Sequence, residues 1–110
     1  MRYYLIDEIS PDHIKTAKDF LKETALSSGI ESIFWVSLPH DLLTGSQYEH
    51  TGCRPHVFAV ETGPSWIKFE LFIRSLTTMR CTCPSYCSKQ QAEFILNFAE
   101  AMIAKLGIRT

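Results

Sequence analysis

Between residues 66 and 74 the chain alternates residue by residue. Ile67, Phe69, Leu71 and Ile73 occupy one set of positions, and Trp66, Lys68, Glu70, Phe72 and Arg74 the other. A period of two marks a strand with one face on a core and the other only partly covered. Val57 to Glu61 reads as its hairpin partner across Thr62-Gly63-Pro64-Ser65. Arg2 to Ile9 and Ile33 to Leu38 are two further strands. The second of these is apolar on both faces (Ile33-Phe34-Trp35-Val36), as suits a strand inside a sheet.

Two segments change to a helical period. Ser10-Pro11 opens the first, with a hydroxyl N-cap and a proline where a missing N–H costs nothing. Ile14, Ala17 and Leu21 recur along it, and Ser27-Ser28-Gly29 is its expected end. The second opens on the capping box Ser88-Lys89-Gln90-Gln91 and closes at Gly107. Its apolar residues, Phe94, Phe98 and Met102 among them, sweep an arc of roughly 200°, wider than the roughly 100° stripe that one sheet face needs. The surplus is expected to meet the first helix or a second subunit. Pro39 to Pro55 is a long connection with a short helix expected at Asp41 to Tyr48. Leu76 to Cys83 is a candidate further strand.

The resulting order is β-α-β-β-β(-β)-α, an α+β two-layer sandwich in which both helices lie on one face of a mostly antiparallel sheet. Its 110 residues are the length of one domain spanning 1–110, and its 45% apolar content is that of a globular protein. Net charge is −1, with both signs mixed along the chain, so no long-range field recruits nucleic acid or an anionic membrane. No apolar run approaches the ~18 residues of a membrane span. The opening MRYYLIDEIS is too short in apolar length for a signal-peptide core. The expected location is therefore the cytoplasm, where cysteines stay as thiols.

Three of the four cysteines fall in Arg80-Cys81-Thr82-Cys83-Pro84-Ser85-Tyr86-Cys87. On a strand, Cys81 and Cys83 point to the same side, with alpha carbons roughly 7 Å apart. With Cys87 they form a candidate zinc site whose fourth ligand is Cys53 or His56, because the hairpin register brings the 50–56 segment towards residues 75–83. Their one- and three-residue spacings match neither zinc ribbons nor iron–sulfur runs. A second alternative is thiol redox chemistry at Cys87, which sits at a helix N-terminus that favours thiolate. The plainer reading makes Cys87 the residue ahead of the capping box, packed on the first turn of the helix.

His50, Cys53 and His56 share one loop, as a Cys–His nucleophilic pair would, yet no phosphate loop, nucleophile elbow or His-Glu-x-x-His motif accompanies them. The order α-β-β-β-α from Pro11 onward is similar to the double-stranded RNA-binding domain, and Ser88-Lys89-Gln90-Gln91-Ala92 looks like the start of that family's second helix. Where that family sets lysines on phosphate, this chain has two glutamines and then Glu93, so nucleic-acid binding is not expected. What remains is a non-catalytic binding or self-association module, expected to be a homodimer or to take a protein partner. Its candidate interface residues are Trp66, Lys68, Phe72 and Arg74 on the open sheet face, and Phe94 and Phe98 on the last helix.

Overall fold

The computed structural model describes residues 2–76 and 84–110. Over these residues it is an α+β protein with a seven-stranded antiparallel sheet and three α-helices. The strands are β1 (Tyr3–Ile6), β2 (Leu26–Ser27), β3 (Ile33–Ser37), β4 (His56–Thr62), β5 (Ile67–Glu70), β6 (Phe72–Ser75) and β7 (Ser85–Tyr86). The helices are α1 (Pro11–Thr24), α2 (Gly45–Glu49) and α3 (Lys89–Leu106). The sheet runs β1-β5-β4-β3-β2, with β6 continuing along β4 and β7 added outside β6. The expected strand at Leu76 to Cys83 lies outside the described residues.

α1 and α3 pack on the same sheet face and share one core. Ile14, Ala17 and Leu21 of α1 and Ile95, Ala99 and Met102 of α3 meet Phe34, Val36, Phe58, Val60, Ile67, Phe69 and Ile73. Fully burying side chains of this size stabilises by about 1.5–3 kcal/mol each, so this layer carries the fold. The wide apolar arc of α3 is used largely within the chain. Phe94, Phe98, Ile103 and Leu106 border the same core, and the Phe98 ring stands edge-on to Phe58 at 5.7 Å and to Phe69 at 6.4 Å.

The caps form where the sequence places them. Ser10 accepts from the N–H of His13, and Gly107 closes α3 in the left-handed region at φ 65°. α1, however, stops at Thr24, earlier than Ser27-Ser28-Gly29 suggests. Ala25 turns extended and Leu26-Ser27 become an edge strand opposite Trp35-Phe34, because pairing with β3 satisfies their backbone better than another helical turn. Gly29, at φ 85°, makes the turn that follows.

The hairpin register also differs from expectation. Trp66 belongs to the loop, where its carbonyl accepts from Gly63 N–H at 2.8 Å, and the β4–β5 ladder starts at Thr62 opposite Ile67. Farther along, Val60 faces Phe69 while Val57 faces Arg74. Three steps along β4 thus answer five along the neighbouring strand, leaving two extra residues at Leu71-Phe72. Freed from β4, Leu71 donates to the Arg2 carbonyl and accepts from Cys87 N–H. An insertion of two preserves the side-chain alternation, so Ile73 stays in the core.

The connection before β4 holds α2 between two single 3₁₀ turns, His40–Leu42 and Thr51–Cys53. α2 opens on a second capping box, Thr44 with Gln47, that the sequence reading did not single out. Gln47 and Gln91, the N3 residues of the two boxes, are both fully buried. The Gln91 side-chain amide donates to the Gln47 side-chain oxygen and to the Leu42 carbonyl, each at 2.9 Å, while its own oxygen caps Ser88 N–H. Replacing Gln91 by Ala is expected to cost about 2–3 kcal/mol, because the Leu42 carbonyl loses its donor as well as the cap its acceptor. Gln91→Glu, which turns oxygen towards oxygen, is expected to cost at least as much. Chemical denaturation of both variants checks this.

Candidate functional site

The helices leave the other sheet face open, and strand pairing assembles that face in rows. Leu5, Lys68, Glu61 and Ile33 lie side by side across β1, β5, β4 and β3. Trp35 sits between Ala59 and Leu26 in the next row. A concavity of about 260 Å³ opens between Ile33, Trp35, Ala59, Glu61, Lys68, Glu70 and Arg74.

The charges on this face are paired with one another. Lys68 Nζ lies 3.2 Å from Glu61 and over the rings of Tyr3, at 5.2 Å, and Trp66, at 5.7 Å. Arg74 grips Glu70 through two parallel bonds of 2.8 and 3.0 Å, which hold its guanidinium still more firmly protonated. Glu70 is buried beneath it. Arg74 also covers the ring of Phe72, which meets Tyr86 edge-on at 5.2 Å, and Arg2 lies 4.7 Å over Tyr86.

Of the expected interface residues, Trp66 and Lys68 are brought together at one end of this face, and Phe72 and Arg74 at the other. Phe94 and Phe98, on α3, are half-buried against the opposite side of the sheet. Trp66 closes over Gly63 so tightly that a β-carbon there would come within 2.1 Å of the indole. Trp35, Ile33, Glu61 and the β1 residue Leu5 were not singled out from sequence. The signal was present in Ile33-Phe34-Trp35-Val36: a strand apolar on both sides, in a fold with helices on one side only, leaves apolar groups on the open face.

The cysteine and histidine candidates lie elsewhere. Cys53 is buried, and its carbonyl accepts from the Ser75 hydroxyl, while Leu76 N–H donates to the Pro55 carbonyl at 3.3 Å. The 53–56 segment therefore does border the chain leaving β6, as the hairpin argument required. Cys81 and Cys83 lie outside the described residues. Among the described residues no group of three His, Cys, Asp or Glu side chains converges on a metal-sized site.

Cys87 is half-buried ahead of the Ser88 cap and borders the core. Burial, with the Glu70 carboxylate adding to it, pushes its thiol up to about 11. The thiolate that a redox or nucleophilic role needs is thus disfavoured despite the adjacent helix N-terminus. His56, almost fully buried at the start of β4, is held below the usual imidazole range by burial, with the positive charge of Arg54 and the neighbouring His50 and His40 acting in the same direction.

Compared with protein-family models, curated proteins and solved structures, the chain gives no significant match. The geometry is therefore the basis for function.

Two titrations follow from these environments. At pH 8, Cys87 as the sole cysteine is expected to alkylate about two orders of magnitude more slowly in the folded protein than in urea. A native rate equal to the unfolded one would contradict its burial. For His56 the folded imidazole binds a proton less readily than the unfolded one. Its contribution to stability is complete above about pH 6.5 and is lost as pH falls towards the depressed folded value, with a slope of at most about 1.4 kcal/mol per pH unit. Melting curves across pH 5–8 should show this fall, and His56→Gln should flatten it.

Proposed function

We propose that the chain is a non-catalytic association module that acts as a homodimer through the apolar margins of the sheet surface its helices leave uncovered. The observation that carries this reading is that three of the seven exposed large apolar side chains among the described residues fall on this face. Tyr3 is 48% and Leu5 43% exposed, both on the open-face side of β1, and Leu26 is 45% exposed on the same face at the opposite edge. The charged groups between them are already neutralised by partners in the same chain, so they neither attract a strongly charged ligand nor call for one. An apolar margin around internally balanced charge suits a protein surface, and a second copy is the partner always at hand.

A non-catalytic role draws support from the state of the reactive groups. Among the described residues, the half-buried Cys87 is held as the neutral thiol by its burial. Among the described residues no helix is long and apolar enough to cross a membrane. The Cys87 thiol suits the reducing cytoplasm, where we place the protein.

Sedimentation equilibrium tests this reading. At tens of micromolar the protein is expected to sediment as a dimer, and its melting temperature should rise with protein concentration. A strict monomer across that range, with a melting temperature independent of concentration, rules the reading out.

A further inference from the structure

We infer that the crevice between α1 and the turn after β2 binds a small organic phosphate: an apolar group carrying two or three phosphates in a row, as in a nucleoside triphosphate. The crevice shares no lining residue with the concavity of the open sheet face, so the inference stands apart from the self-association reading.

Two adjoining cavities make up the crevice, with Lys22 and Glu31 bordering both. The first, of about 270 Å³, is an apolar hollow lined by buried Phe34, half-buried Ala25 and exposed Ile30. At 59% exposure, Ile30 is the most exposed large apolar side chain among the described residues. The turn that carries it is tied down. Ile30 N–H donates to the Ser28 hydroxyl at 3.1 Å, and that hydroxyl donates to the Ile33 carbonyl at 2.7 Å. Ile33 N–H closes the turn on the Ile30 carbonyl at 3.1 Å, with Gly29 at φ 85°. An isoleucine held in water beside an apolar hollow is covered when an apolar group enters, and the fixed turn keeps the ordering cost of that step low.

The second cavity, of about 330 Å³, follows the flank of α1. Lys15, Lys18 and Lys22 recur along it at helical spacing, a row about 10 Å long. Among the described residues, none of these three ammonium groups has a carboxylate within ion-pair distance, whereas Lys68 and Arg74 on the open face are each held by a glutamate. Lysine in such a row serves phosphate as a point charge.

Asp19 and Glu31 border the same cavity, so three cations stand against two carboxylates. One net positive charge is little for a nucleic-acid backbone, whose binding grows with the number of phosphates neutralised. It suits a short anion seated among three donors. A single phosphate would reach one end of a row this long, and a chain of two or three would follow it. Along the crevice the order is apolar hollow, Lys22, Lys18, Lys15. A nucleoside triphosphate has the same order, with its base in the hollow and its outermost phosphate at Lys15.

Titration calorimetry of the whole chain at low salt, with ATP, AMP, adenosine and inorganic tripolyphosphate, tests the site. ATP engages both halves of the crevice and is expected to bind at least tenfold more tightly than adenosine or tripolyphosphate, weakening as salt is added. Ile30→Ser is expected to weaken ATP about fivefold and to leave tripolyphosphate unchanged. Lys15→Glu is expected to weaken ATP at least tenfold, yet to leave AMP, which reaches the Lys22 end only, within twofold. Both substitutions fall on exposed side chains and should leave the circular dichroism unaltered. Equal affinity for ATP and tripolyphosphate, unmoved by Ile30→Ser, would reveal an adventitious anion patch and overturn the site. Absence of heat with ATP at millimolar concentration overturns it as well, as does single-stranded RNA binding that ATP cannot displace. None of these outcomes bears on the dimer, which sedimentation decides separately.

Discussion

The bond between Gln91 and Gln47 determines whether the long 39–55 connection belongs to the fold. Each glutamine has two tasks, with its oxygen capping its own helix and its place in the pair joining that helix to the other. Both are fully buried, so neither amide can exchange its partner for water without disturbing the packing. With Leu42 tied to the same amide, the connection is fixed to the start of α3. That in turn fixes the approach to β4, through which every other strand except β7 and the two edges is paired. A polar contact between two short capping motifs thereby positions the apolar layer that supplies most of the stability.

The sheet then divides its two sides between different tasks. The helix side is spent on folding, with aromatic edges of Phe58, Phe69 and Phe98 meeting in the core. The open side cannot be apolar throughout without inviting aggregation, and its centre carries paired charge, each pair flanked by rings: Lys68 by Tyr3 and Trp66, Arg74 by Phe72. These rings keep the charged side chains flat against the sheet. The large apolar side chains that stay exposed on this face, Tyr3, Leu5 and Leu26, thereby lie at its rim and not at its middle.

Much of this was legible in the chain wherever a signal was local. The Ser10-Pro11 start, the Ser88–Gln91 box and the terminal Gly107 each report on a few consecutive residues, and each forms as read. The alternation at 67–73 likewise identified the buried side of the strand. What was not legible depended on partners far away in sequence. The early end of α1 is decided by the edge of β3, and the two extra residues at Leu71-Phe72 are accommodated by Arg2 and Cys87, on segments nearly seventy and sixteen positions distant. The RCTCPSYC stretch drew attention by its density of thiols, yet Cys87 gained its character from burial beside Glu70, which no spacing of cysteines reveals. The open face was partly anticipated through Lys68 and Arg74. Trp35 and Leu5 were missed because their membership depends on strand order.

The slip at Leu71-Phe72 also sets a rule for how this chain can change length. Side-chain direction along the strand has a period of two, and the slip contains an even number of residues. Removing both would straighten the strand and leave Ile73 inward and Arg74 outward. Removing or adding one would exchange them, driving the guanidinium into the space between the sheet and α3 and turning an isoleucine out to water. Length variation at this point is therefore governed by parity, with changes of two residues tolerable and changes of one ruinous.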